Sequence, residues 1–167
     1  MMAGNVTLKL LPLSREYVEF VRQVRNDPRV SEHLFTDTHI SKEEQERWYR
    51  KQARDKRSFV FIALADRPVG YCQIKNVDYV NLSCEVGFCL APEYQSKGYG
   101  AALVKELIRY ARGKLNMHRV YLEVFADNER AIRLYERCGF GKEGLLRHKI
   151  LKNGEFRDVV VMSVIAD

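Results

Sequence analysis

The sequence has little of what marks a membrane, exported or metal-bound protein. No run approaches the roughly 20 apolar residues of a membrane helix; the densest stretches, Phe59 to Ala65 and Val159 to Met162, have the length of strands. Met1 to Lys9 carries no cleavable apolar segment, so nothing there directs export and a cytoplasmic location is the expectation. The four cysteines, Cys72, Cys84, Cys89 and Cys138, include no C-x-x-C pair. The four histidines, His33, His39, His118 and His148, show no i, i+4 spacing. The usual signals of a metal site are therefore missing, and none is expected. Cys84 and Cys89 lie in an apolar segment and Cys138 closes an amphipathic one, so they read as small buried hydrophobes rather than nucleophiles. Repeats, low-complexity tracts and linkers are also missing, which leaves residues 1–167 as one domain.

What is present suffices for a folded core: 46% of the residues are hydrophobic and 11% aromatic, which excludes disorder as the main state. Lys and Arg number 28 against 22 Asp and Glu, a net charge of +6 that suits anionic ligands.

The spacing of apolar residues predicts a strand over Val6–Leu11, then a helix after Ser14 that carries Tyr17, Val18, Val21 and Val24 and stops before Asp27-Pro28. Ser41 and Glu44 form a capping box opening a helix to about Arg54, with Trp48 and Tyr49 toward the core and Arg47, Arg50, Lys51 and Arg54 as a basic stripe. Ser58–Ala65 and Val69–Lys75 read as a hairpin around Asp66-Arg67-Pro68. Ser83–Leu90, a helix over Ala101–Leu115 and Arg119–Phe125 make a strand, helix, strand unit whose strands should be parallel by a right-handed crossover. A second helix, Asn128–Arg137, ends at Gly139, and Gly144–Leu151 and Glu155–Ile165 flank the hairpin turn Asn153-Gly154. The expected fold is α+β, with a mixed, mostly antiparallel sheet of about seven strands and helices on both faces.

Between the strand ending at Leu90 and the following helix lies Gln95-Ser96-Lys97-Gly98-Tyr99-Gly100. Its glycines permit close backbone approach, and free N–H groups opening a helix make an anion cradle. A dinucleotide fingerprint would need a small residue at position 103, which is Leu103, and a Walker loop would need Gly-Lys-Ser/Thr. Alone, the pattern fits a tight turn as well as a cradle.

Gln95-x-x-Gly98-x-Gly100 resembles the acetyl-CoA signature of the GNAT N-acetyltransferase superfamily. Asn128, Ala131-Ile132, Tyr135 and Gly139-Phe140 resemble that superfamily's second motif, in order and on the predicted elements. Arg25-Asn26-Asp27-Pro28 and Asn153-Gly154-Glu155-Phe156-Arg157-Asp158 are similar to the branch of ribosomal-protein, spermidine and pseudaminic-pathway amino-sugar N-acetyltransferases.

The resemblance implies a splay between two parallel central strands that pantetheine fills, with backbone groups of Phe88, Cys89 and Leu90 on the cofactor and those of Gln95, Ser96, Lys97, Gly98, Tyr99 and Gly100 on its pyrophosphate. It implies Tyr135 as general acid at the thioester sulfur, Asn128 as both helix cap and cofactor contact, and Glu85 as base, with Glu123 the other carboxylate in reach. His33 and His39 would overhang the acceptor. Acetyl-CoA is the implied cosubstrate.

The acceptor is expected to be a primary amine of a small molecule. A nucleotide-linked amino sugar leads, on the charge sign and the segment Phe35–Ser41, and protein N-termini and polyamines are the alternatives. A non-enzymatic basic binding module for nucleic acid is the reading from another class. Glu43, Glu44 and Glu46 interrupt the basic stripe and no aromatic platform accompanies it, so nucleic acid is not the expected partner. Apolar terminal strands of this fold often pair between subunits, which leaves room for a homodimer.

Overall fold

The computed structural model describes residues 6–36 and 39–167. The strands are β1 (Lys9–Pro12), β2 (Phe59–Leu64), β3 (Pro68–Asp78), β4 (Ser83–Leu90), β5 (Arg119–Phe125), β6 (Gly141–Lys152) and β7 (Glu155–Ile165). They form one sheet in the order β1-β2-β3-β4-β5-β7-β6. Only β4 and β5 are parallel; every other pair is antiparallel. The helices are α1 (Val18–Asn26), α2 (Pro28–Ser31), α3 (Lys42–Gln52), α4 (Tyr99–Gly113) and α5 (Glu129–Arg137). None of the described helices is long and apolar enough to cross a membrane.

Alternation along the strands divides the interior into two cores. Phe61, Ala63, Cys72 and Ile74 face Leu103, Val104, Leu107 and Ala111 of α4 and Ile132 of α5. Val60, Ile62 and Tyr71 face Val21 and Val24 of α1 and Val30 of α2, with Trp48 of α3 packed on the edge. Burying each such large side chain contributes about 1.5–3 kcal/mol, so the α4 stripe alone fastens the crossover to the sheet.

The capping box is formed in full: Glu44 N–H donates to Ser41 Oγ at 3.1 Å, and Ser41 N–H to Glu44 Oε2 at 2.7 Å. Asn153 and Gly154 both have positive φ, 51° and 79°, as a tight two-residue hairpin requires. Three details depart from the sequence pattern. The first strand begins at Lys9 rather than Val6, because its pairing to β2 starts at Lys9↔Leu64. Asp27-Pro28 ends α1 but also opens α2: the Asp27 carboxylate accepts from Arg29 N–H at 3.0 Å, and proline takes the first turn. Tyr49 is only half-buried, under the Arg15 guanidinium, and the fully buried α3 residue is Gln45.

Gly70 fixes how closely β3 and β4 approach. A Cβ there would lie 2.1 Å from the Cys89 carbonyl oxygen and 2.9 Å from Leu90 Cα, both backbone atoms that cannot rotate away. Gly70→Ala should therefore cost upward of about 2 kcal/mol through overpacking. Urea unfolding measures it, and a loss below about 0.5 kcal/mol, the scatter of an indifferent surface change, would mean the strands are not so close.

Candidate active site

β4 and β5 pair for three residues only, Ser83↔Arg119, Cys84↔Val120 and Glu85↔Tyr121. Beyond Glu85 each strand stays with its outer neighbour: β4 continues on β3 to Leu90↔Gly70, and β5 continues on β7 to Phe125↔Val159. Residues 86–90 thus have no strand partner on their β5 side. The open stretch begins two residues before the Phe88 expected from sequence. A cleft of about 660 Å³ follows the gap and is lined by Glu85, Phe88, Cys89, Leu90, Gln95, Ser96, Gly98, Gly100, Asn128 and Tyr135. Ten of the twelve side chains and glycines singled out in the sequence come together there. Lys97 and Tyr99 do not line it: Lys97 points into solvent, and the Tyr99 ring packs edge-on against Tyr94 at 5.4 Å.

At one end of the cleft the chain turns into α4. Ser96 (φ 58°) and Gly98 (φ 87°, ψ −10°) are left-handed, and Gly98 caps the helix. Only glycine takes the latter position without strain. The opening N–H groups of α4 have no carbonyl one turn earlier to accept them, and the helix dipole adds positive potential. Gly100 lets α4 and α5 come together, since a Cβ would sit 3.0 Å from Leu134 Cδ2.

Sequence reasoning missed Arg130, whose guanidinium donates to Gln95 Oε1 at 3.1 Å and to Ser96 Oγ at 3.3 Å. It brings an exposed cation onto this loop from the first turn of α5. Its place two residues after Asn128 was the available signal. Asn128 itself caps α5, accepting from Ala131 N–H at 3.2 Å.

Tyr135 stands midway along the gap, its ring edge-on to Phe88 at 6.2 Å and 5.9 Å from Phe140. Burial pushes its phenol well above the usual value near 10, so the hydroxyl keeps its proton throughout the neutral and mildly alkaline range.

Toward the other end lie two carboxylates, each held by a lysine. Glu85 meets Lys75 Nζ at 3.0 Å and accepts from Asn76 Nδ2 at 2.7 Å. Glu123 is paired with Lys149. Arg25, Tyr71, Gln73 and His33 complete this end. The Arg25 Nε is buried without a partner among the described residues, with Trp48 under its guanidinium at 5.8 Å. Cys89 donates to the Tyr71 hydroxyl at 3.6 Å, and burial pushes its thiol up to about 11, the protonated state of an inert cysteine.

The basic stripe of α3 stays out of the cleft: Arg50 pairs with Glu46 at 3.0 Å, and neither Arg47 nor Arg54 reaches the lining. His33 lines the cleft and His39 does not. Asp37 and Thr38, in the segment that suggested an amino-sugar acceptor, lie outside the described residues. Among the described residues, no three His, Cys, Asp or Glu side chains gather as a metal site.

Comparison with known proteins agrees with this geometry. Residues 21–140 match the model of the acetyltransferase (GNAT) family. A spermidine N(1)-acetyltransferase of Vibrio cholerae serotype O1 is 31% identical over 96% of this chain and 94% of its own. The acetyltransferase PseH of Campylobacter jejuni is 30% identical over 77% of this chain and 79% of its own. The crystal structure of spermidine N-acetyltransferase from Vibrio cholerae in complex with CoA and spermine superposes with a TM-score of 0.91, at 31% identity, covering 96% of each chain. The chain belongs to the GNAT family and is an acetyl-CoA-dependent N-acetyltransferase.

Proposed function

We propose that the whole chain acts as one catalytic domain that acetylates a primary amine of a small molecule in the gap between β4 and β5. The observation that carries the reading is the one-sided edge of residues 86–90, which ends at the left-handed Gly98 turn. An extended amide-bearing chain can take hydrogen bonds from such an edge, and a pyrophosphate suits the N–H groups that follow it. The residues therefore fit acetyl-CoA, which when bound supplies an activated acetyl thioester. Phe88, Cys89 and Leu90 hold its extended arm through their backbone. Gln95, Ser96, Lys97, Gly98, Tyr99 and Gly100 hold the phosphates, those of Lys97 and Tyr99 through main-chain N–H alone, with Arg130 adding charge. Asn128 contacts the cofactor from its capping position.

The Tyr135 hydroxyl, kept protonated by burial, holds a proton for the departing sulfur. Glu85, through water, takes the proton the amine must lose, and Glu123 is the second carboxylate at the same mouth. Dependence on acetyl-CoA, made and used inside cells, supports a cytoplasmic location. The exposed apolar residues Leu145, Leu151 and Phe156 on the β6–β7 hairpin support self-association.

Two acceptor classes are supported by different observations. A polyamine is the first reading, because the Vibrio cholerae relative, named for spermidine, matches over nearly the whole chain. The second is an amino sugar linked to a nucleotide. The carboxylates at the acceptor end are already paired with Lys75 and Lys149, and Arg25 lines the same cleft, an electrostatic setting that favours an anion over a polycation. A panel of spermidine, nucleotide-linked amino sugars and peptide N-termini at saturating acetyl-CoA, read by thiol release, decides between them. Spermidine turnover at the highest kcat/KM establishes the first reading, amino-sugar turnover the second, and preference for peptides contradicts both.

Tyr135→Phe removes only the hydroxyl, and kcat should fall about 100-fold or more with acetyl-CoA affinity unchanged. Because the folded-state pKa is raised, the wild type should show no alkaline loss of kcat from this residue up to pH 10. Full activity of the variant, or an alkaline limb below pH 10 that Tyr135→Phe abolishes, would sink the assignment. Gly98→Val forces a β-branched residue to positive φ at the cradle, and calorimetry should find acetyl-CoA binding lost by about 100-fold or more. Binding within a few-fold of wild type would put the phosphates elsewhere.

A further inference from the structure

Lys152, the last residue of β6, is 5% exposed and reaches across the molecule. Its Nζ donates to the carbonyls of Ser31 at 2.7 Å, Leu34 at 2.6 Å and Thr36 at 2.8 Å. An ammonium has three donors, and three carbonyls of one short segment lie within reach of them. That segment runs from Ser31, the last residue of α2, to Thr36, and His33, Leu34, Phe35 and Thr36 form the wall of the cleft at its acceptor end. Its own backbone bonds include those of the turn, Glu32 N–H to the Pro28 carbonyl at 3.2 Å, His33 N–H to Val30 at 3.0 Å and Leu34 N–H to Ser31 at 3.1 Å.

A second cation of the same hairpin supports it. Arg157 of β7 donates to the Glu32 carbonyl at 3.4 Å and to Asp127 at 2.6 Å. Its guanidinium lies 3.6 Å over the Phe125 ring, against which Phe35 packs edge-on at 4.9 Å. Five residues without regular structure are thus gathered on two cations that lie more than 115 residues further along the chain. Hydrogen bonds from a charged donor are the stronger sort.

We infer that Lys152 and Arg157 are positioning residues for the acceptor: the β6–β7 hairpin holds the acceptor wall in the shape that receives the amine, while the cofactor end is built without it. The inference rests on reading that end of the cleft as the acceptor's. It concerns the wall and not the reacting atoms, so the hairpin sets acceptor affinity rather than chemistry.

The variants are Lys152→Met, Lys152→Arg and Arg157→Gln in the full chain. Their readouts are acetyl-CoA affinity by calorimetry, hydrogen exchange of amides 32–36, and steady-state kinetics with whichever amine the panel turns over fastest. Lys152→Met should raise acceptor KM about 10-fold or more, leave kcat and acetyl-CoA affinity within about threefold, and speed exchange of amides 32–36 about 10-fold, since three carbonyls of the segment lose a charged donor. Lys152→Arg should recover part of the loss, and Arg157→Gln should give the same split at about threefold.

Acceptor KM within twofold of wild type in both Lys152→Met and Arg157→Gln overturns the inference, and so does an equal loss of acetyl-CoA affinity. If Lys152→Met does not fold, Arg157→Gln decides alone by the same criteria. If no amine is turned over by the wild type, the acceptor reading has failed. Exchange then still decides the clamp: unchanged rates overturn it, and faster rates with acetyl-CoA affinity intact uphold it.

Discussion

The architecture turns on a competition for backbone partners. β4 cannot follow β3 and β5 together, because β3 and β7 draw the two central strands apart after Glu85. A sheet normally closes such a gap, since unpaired N–H and C=O groups away from water are costly. Here the gap stays open because each flank is fixed on its outer side: Gly70 seats β4 on β3 with no room for a methyl group, and β5 runs with β7 to Phe125↔Val159. The unpaired edge is what the fold offers a ligand, and α4 and α5 meet around Gly100 and Leu134 at its end.

Charge is distributed along the cleft in a consistent way. At the α4 end Arg130 donates to Gln95 and Ser96, and the start of the helix adds positive potential. At the opposite end the carboxylates of Glu85 and Glu123 carry lysine partners, so their charge is largely cancelled. That cancellation separates the two acceptor readings. A polycation needs carboxylates that are free to meet it, whereas the pairing here leaves Arg25 as a cation facing the cleft. Similarity across the whole chain and local electrostatics thus point to different amines on one catalytic frame.

Features with a local cause were legible in the sequence. The bounds of β4 and β5 follow from apolar runs between turn residues, Ser41 and Glu44 cap α3 through neighbours three apart, and Asn153-Gly154 forces its hairpin. Of the ten proposed site residues that meet in the cleft, Gln95, Ser96, Gly98, Gly100, Asn128 and Tyr135 are fixed by two local motifs relative to the helices they open, and Glu85, Phe88, Cys89 and Leu90 by the run of β4. What was hidden depends on long-range contact. Lys152 looks in sequence like any lysine beside a turn, and its burial arises only when the hairpin folds back over Ser31–Thr36. Gly70 reads as a loose residue in a strand, and Arg130 as a solvated helix charge. The partners of Glu85, Lys75 and Asn76, come from the neighbouring strand, so its engagement could not be read from position 85 alone.

The most direct test of the open-edge account is an amide-resolved NMR titration of the chain with acetyl-CoA. Saturable shifts centred on amides 86–90 of β4, 95–101 at the start of α4 and 128–135 of α5, with β6 undisturbed, are the predicted result. Saturation with shifts centred on the β6–β7 hairpin while amides 86–90 stay unmoved would contradict it.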